Sequence, residues 1–152
     1  MKKYELTDET IEFYGRTLHR IRACRDFVTI AGKQVKTGDL GGFVETEKTL
    51  SHNGACWVYG NAEVWGDARV YGNAKIQTPQ DYITISPIGS RNDVTTFYKT
   101  DSGIDVRCGC FNGSIEKFLK AVEETHGDNK YGKAYRAAAE LAKIQIEVNS
   151  ND

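Results

Sequence analysis

Val44, Leu50, Cys56, Ala62, Ala68 and Ala74 follow one another at intervals of six residues. A second series, Val58, Val64, Val70 and Ile76, keeps the same interval two positions further along. The text between them reads V-Y-G-N-A-E, V-W-G-D-A-R, V-Y-G-N-A-K. Few architectures accept such a period. Six residues per flat face, with one small and one β-branched residue turned inward, predict a parallel β-helix. Gly60, Gly66 and Gly72, each followed by Asn or Asp, supply the corners, because these residues take turn and left-handed conformations readily. Residues 43–78 hold six such hexads, about two turns of a three-sided coil. Two turns bury too little to stand alone, so flanking segments or a second subunit must cap them. Tyr59, Trp65 and Tyr71 follow the valines and are expected to point outward. In that place they suit packing between protomers, stacking on a ligand, or simple surface and cap contacts.

The flanks divide the chain into three parts. Residues 1–42 are expected to form β-hairpins that cap the repeat, with turns at Tyr14-Gly15 and Ala31-Gly32. Gly38 to Phe43 reads as a flexible lead-in. Residues 79–152 change character to an α+β unit. A strand at Tyr82–Ser86 is followed by a loop from Pro87 to Asp93, then by a hairpin of Val94–Lys99 and Ile104–Cys108. Ser114 caps a helix running to His126, with an apolar stripe of Ile115, Phe118, Leu119 and Val122, and Gly127 stops it. Asp128 is expected to cap a second, alanine-rich helix to Ile146. The predicted class is therefore mainly β, with a short parallel β-helix followed by a β-hairpin and two helices.

Composition excludes some functions. The formal net charge is −1, which suits neither a broad basic surface for nucleic acid nor an acidic mimic of it. Residues 1–38 carry eight Lys/Arg against five Asp/Glu, partly in Arg20, Arg22 and Arg25. That cluster reads either as a solvated strand face or as an anion-attracting patch. No apolar run is long enough to cross a membrane. Cys24, Cys56, Cys108 and Cys110 occur without a signal peptide, so reduced thiols and a cytoplasmic location are expected. Cys108-Gly109-Cys110 has no second pair to complete a zinc site, and neither metal nor cofactor is expected.

The residues most suited to chemistry lie in the last third. In Gly89-Ser90-Arg91-Asn92, the glycine permits close backbone approach, the serine adds a hydroxyl, and the arginine can grip phosphate through two N–H groups. Exposed amides in such a turn can form an anion nest. The competing reading is an ordinary loop with a solvated arginine. Arg107 lies on the polar face of the next hairpin. Phe111 and Ser114 lead into a helix N-terminus, itself an anion site. Tyr98, Phe111 and Tyr131 are candidates to stack on a base. His126 is a candidate ligand contact and acid or base, the competing reading being a helix-end residue that interacts with the dipole. His52 lies in the third hexad. No nucleophile elbow or metal triad is present.

The hexads resemble the left-handed β-helix repeats of bacterial hexapeptide transferases, over residues 43–78. A longer set of segments resembles small proteins carried by phages and prophages. These segments are Leu40-Gly41-Gly42-Phe43-Val44-Glu45, Cys56-Trp57-Val58-Tyr59, Ile88-Gly89-Ser90-Arg91, Arg107-Cys108-Gly109-Cys110-Phe111 and Thr125-His126-Gly127-Asp128-Asn129. The resemblance implies a left-handed coil, a homo-oligomer (trimer or dimer) and a place in the cytoplasm of an infected or lysogenic host. By analogy with phage proteins that sequester nucleotide immune signals, it implies a non-enzymatic anti-defence role. The ligand would be a cyclic ADP-ribose-type molecule or a cyclic oligonucleotide, with no nucleic-acid or membrane partner. Three rivals are a protein-binding inhibitor of a host defence enzyme, a hexapeptide-repeat acyltransferase, in which the resemblance implies His52 as the base, and a structural component of the virion.

Overall fold

The computed structural model describes residues 2–29 and 32–148. The chain is mainly β and closes with a two-helix unit. Strands β1 (Tyr4–Phe13) and β2 (Arg16–Ala23) form the first hairpin. Its two turn residues, Tyr14 and Gly15, have φ of 50° and 79°, the positive pair that a two-residue hairpin turn demands. Strands β3 (Phe27–Val28) and β4 (Gln34–Val35) pair as the second expected hairpin. The Ala31 of its expected turn lies outside the described residues, as does Ile30.

Strand β5 (Leu40–Val44) pairs antiparallel with β2. The Gly41-Gly42 lead-in is therefore not a flexible loop. Both glycines are buried strand residues. A Cβ on Gly41 would meet the Val58 carbonyl at 2.6 Å, and one on Gly42 would overlap the Ala62 carbonyl. Glycine is needed here for close approach of two strands, not for bending.

Every inward residue of both hexad series is buried. Strands β6 (Trp57–Val58), β7 (Glu63–Val64) and β8 (Lys75–Ile76) are short, and the pairings among these segments are parallel. Val44 pairs with Val64 and Leu50 with Val70, twenty residues apart, whereas Val58 pairs with Ile76, eighteen apart. The two extra residues fall between Leu50 and Val58, at the Ser51–Ala55 corner. Val44 and Leu50 thus stack above the β-branched series and not above the small one, which corrects the six-step run read through Cys56. The corner glycines Gly60, Gly66 and Gly72 have φ of 59°, 72° and 61°, as the corner reading requires. The ladders are two residues long or single bridges, and no closed solenoid is displayed among the described residues.

A short 3₁₀ turn (Pro79–Asp81) leads out of the repeat. A four-stranded antiparallel meander follows, made of β9 (Tyr82–Ile88), β10 (Asp93–Lys99), β11 (Ile104–Cys108) and β12 (Phe111–Ser114). Two expectations change here. β9 continues through Pro87, which an edge strand accepts because the missing N–H would face away from its partner. β12 replaces the expected coil before the helix, through a two-residue turn that sets Cys108 opposite Phe111.

β10 is the wall between two cores. Tyr98 packs with the repeat, and the Arg69 amide donates to Thr96 Oγ1 at 2.9 Å on that side. Phe97 packs with the helices on the other. Helix α1 (Ile115–His126) is capped by Ser114 and ended by Gly127, as expected. Helix α2 (Lys130–Gln145) is capped by Asn129, not Asp128: the Asn129 Oδ1 accepts from the Tyr131 and Gly132 amides, both at 3.0 Å. Asp128 instead meets Arg136 at 3.3 Å. Of the alanines of this helix, Ala138, Ala139 and Ala142 are buried, while Ala134 and Ala137 are exposed. No helix among the described residues is long and apolar enough to cross a membrane.

Candidate functional site

The turn Gly89–Asn92 joins β9 to β10, and Ser90, Arg91 and Asn92 are exposed. The Asn92 amide donates to the Gly89 carbonyl at 3.2 Å, which closes the turn on itself. Gly89 has φ of 81°, and a Cβ on it would overlap the Tyr135 hydroxyl. The close approach that glycine permits is therefore to a side chain of α2 and not to an external ligand. Asp93 and Val94, directly after the turn, line a cleft of about 130 Å3 together with Arg69, Tyr71, Arg107 and Gly109.

Arg107 dominates this cleft. Its guanidinium lies 4.2 Å from the centre of the Tyr71 ring, within cation–π range. No carboxylate among the described residues makes an ion pair with it. Arg69 Nη1 donates to its own backbone, to the carbonyls of Asp67 and Ala68 at 3.0 and 3.2 Å. Both cations line the same cleft at the seam between repeat and meander, with Asp93 as its acidic group.

Tyr98 does not belong to this surface. It is fully buried, and its hydroxyl accepts from Asn112 Nδ2 at 2.5 Å. Burial pushes its ionisation well above the ordinary tyrosine range. It is a core residue, and no base can stack on it.

Phe111, His126 and Tyr131 gather on the opposite, helix-covered side of the meander. A second cavity of about 130 Å3 lies there, lined by Phe111, Phe118, Val122, His126, Tyr135 and Cys108 among others. The His126 ring stacks on Tyr135 at 5.8 Å and lies 5.7 Å from Tyr131. Cys108 accepts from Thr95 Oγ1 at 3.1 Å and lies 3.7 Å from the Tyr135 hydroxyl. The lining is aromatic and holds no fixed cation, so it suits a flat apolar group and not a phosphate. Ser114 is used within the fold: its hydroxyl accepts from the Lys117 amide at 3.2 Å. The ten residues singled out in the sequence thus occupy a turn, a basic cleft, an aromatic cavity with Tyr131 beside its His126, a helix cap and a core position, not one pocket.

Arg69 and Tyr135 were not foreseen. Arg69 occupies the outward place of its hexad that Glu63 and Lys75 hold in theirs. Tyr135 had a readable signal, as the one large residue among Gly132, Ala138, Ala139 and Ala142 on the buried face of α2.

The other features read from sequence are engaged within the fold. Trp65 lies 4.4 Å from Phe13 and 6.2 Å from Tyr82, and Lys33 lies over Tyr59 at 4.2 Å. With Arg107 over Tyr71, all three repeat aromatics are half-buried against their own chain and not freely outward. His52 stacks on Tyr4 at 4.2 Å, accepts from the Lys3 amide at Nδ1 and donates to Glu47 from Nε2 at 2.9 Å. Arg20 and Arg22 pair with Glu9 and Glu5, both at 2.8 Å, which neutralises much of the N-terminal patch. A larger polar cavity of about 420 Å3 lies between Arg16, Trp65, Tyr82 and Gln145. No group of three or more His, Cys, Asp or Glu side chains suited to a metal ion occurs among the described residues. Comparison with protein-family models finds no match, and comparison with curated proteins finds none.

Proposed function

We propose that the protein is a non-catalytic binder that sequesters a phosphate-bearing, nucleotide-derived signal, with the phosphate held in the Arg69–Arg107 cleft. The observation that carries this reading is Arg107: a guanidinium packed on Tyr71 at 4.2 Å, without a carboxylate ion pair among the described residues. A guanidinium held by its face keeps its in-plane N–H groups for a bidentate contact to phosphate. Arg69 adds a second cation, and Asp93 accepts from a ribose hydroxyl. Ser90 and Arg91, on the turn leading into the cleft, reach the outer phosphate oxygens.

Size bears on assembly. Pockets that enclose ligands of this class measure about 300–1,000 Å3. A cleft of about 130 Å3 takes a phosphate and leaves the remaining ligand surface to a neighbouring copy. The parallel pairs eighteen and twenty residues apart are read as rungs of a short left-handed coil that a homo-oligomer caps. In the phage setting that the sequence resembles, the ligand is a cyclic ADP-ribose-type molecule or a cyclic oligonucleotide, and sequestration in the host cytoplasm blunts a defence response.

Native mass spectrometry of the protein after incubation with a panel of cyclic ADP-ribose isomers and cyclic dinucleotides tests the reading. A bound, unconverted nucleotide at a fixed ratio to subunits supports it. A protein that stays empty against the panel, or that converts a nucleotide, rejects it.

A further inference from the structure

We propose that Lys3 and Cys56 form a reversible covalent cross-link between Nζ and Sγ when the protein meets a peroxide. Lys3 Nζ lies 3.2 Å from Cys56 Sγ, and both residues are fully buried. The other polar contacts of the amine are the carbonyls of Cys56 at 2.6 Å and Gly54 at 3.3 Å, and the Phe27 ring lies beneath it. A buried lysine is ordinarily matched by an acid. Here the group beside it that can carry negative charge is the Cys56 thiol.

The surroundings suit an amine–sulfur reaction. Burial holds the Lys3 amine below its usual range, and nearby Arg25 pushes the same way. A neutral amine carries the free electron pair that nucleophilic attack needs. Burial raises the thiol, and the lysine beside it opposes that rise. The remaining neighbours of Sγ are the carbonyls of Ser51, Asn53 and Val70, none of which is a nucleophile.

The step balances with one peroxide. Cys56 sulfur attacks a peroxide oxygen; an S–O bond forms, the O–O bond breaks, and the leaving hydroxide takes a proton to become water. The sulfur is oxidised to a sulfenic acid and the peroxide is reduced. The Lys3 electron pair then attacks that sulfur. An N–S bond forms, the S–O bond breaks, and hydroxide leaves with the amine proton as a second water. Sulfenic acids condense with nitrogen in this way to give sulfenamides, which thiols reverse.

Buried thiols are usually inert. This one lies directly beneath Asn53 and Gly54, which are exposed and sit in the corner that carries the two extra residues. Opening of that corner admits a molecule as small as hydrogen peroxide. The cross-link would tie the foot of β1 to the start of β6 and close a long loop through the larger core.

The test uses the whole protein. It is treated with hydrogen peroxide, alkylated, digested and mapped by mass spectrometry. The expected product is a peptide joined through Lys3 and Cys56, lighter by two hydrogens than the sum of its parts, which a thiol reductant separates. Oxidised protein should also melt several degrees above reduced protein. Cys56 found alkylated after treatment, carried to sulfinic acid with Lys3 free, or in a disulfide with another cysteine would overturn the proposal. Lys3→Arg keeps a long basic side chain but removes the amine nucleophile, and should abolish the joined peptide. The map of the unaltered chain decides the matter even if that variant does not fold.

Discussion

Gly89 faces the hydroxyl of Tyr135 so closely that no side chain fits between turn and helix. The turn after β9 is thereby clamped to α2, and the exposed Ser90, Arg91 and Asn92 are presented from a fixed base. Gly89→Ala adds a Cβ at φ of 81° and drives it into the tyrosine. The expected loss is about 2–4 kcal/mol, from overpacking plus left-handed strain. Denaturant unfolding measures it. Tyr135→Phe in the same background should return part of the loss, because the hydroxyl is the closest atom.

The two candidate caps of α2 separate cleanly. Asn129→Ala removes the acceptor for two amides and should cost about 1 kcal/mol. Asp128→Ala should change stability by less than about 0.5 kcal/mol, since its pairing with Arg136 is a surface one. Thermal unfolding of the two variants side by side checks the order.

Much of this fold is legible in the sequence because strands turn alternate side chains to opposite faces. The period-six series therefore marks the residues that prove buried. The Ser51–Ala55 insertion is illegible for a specific reason. Cys56 sits six residues from both Leu50 and Ala62, so two registers merge into one apparent run. Tyr98 misleads because β10 is buried on both faces, whereas an alternating strand is read as having one wet side. β12 is hidden by Asn112 and Gly113, which favour turns and are held in a strand by pairing with β11. The basic cleft needs Arg69 of the repeat beside Arg107 of the meander, a meeting made by packing and not by spacing.

The Glu47 carboxyl gives a pH dependence. The hydrogen bond from His52, and then Lys2, hold the Glu47 carboxyl below its usual range. A lowered carboxyl contributes stability that is complete above its unfolded value of about 4.3 and is lost as pH falls through the folded value. Glu47→Gln should therefore flatten the fall in unfolding free energy on acidification below about pH 4.3. A variant curve parallel to the parent would remove Glu47 from the account.

The inward stack sets another expectation. Val64 is fully buried opposite Val44, so Val64→Ala should cost about 1–3 kcal/mol through lost burial and the cavity left behind. Glu63→Ala, on the neighbouring half-buried position, should cost less. Equilibrium unfolding of both variants tests whether the six-residue pattern carries the core.

The most direct test of phosphate capture is calorimetric titration of the nucleotide identified by native mass spectrometry into parent and Arg107→Ala protein. The account predicts at least a tenfold weaker affinity in the variant, about 1.4 kcal/mol or more, with an unchanged circular dichroism spectrum. Equal affinity in the two proteins would contradict it and place the ligand elsewhere.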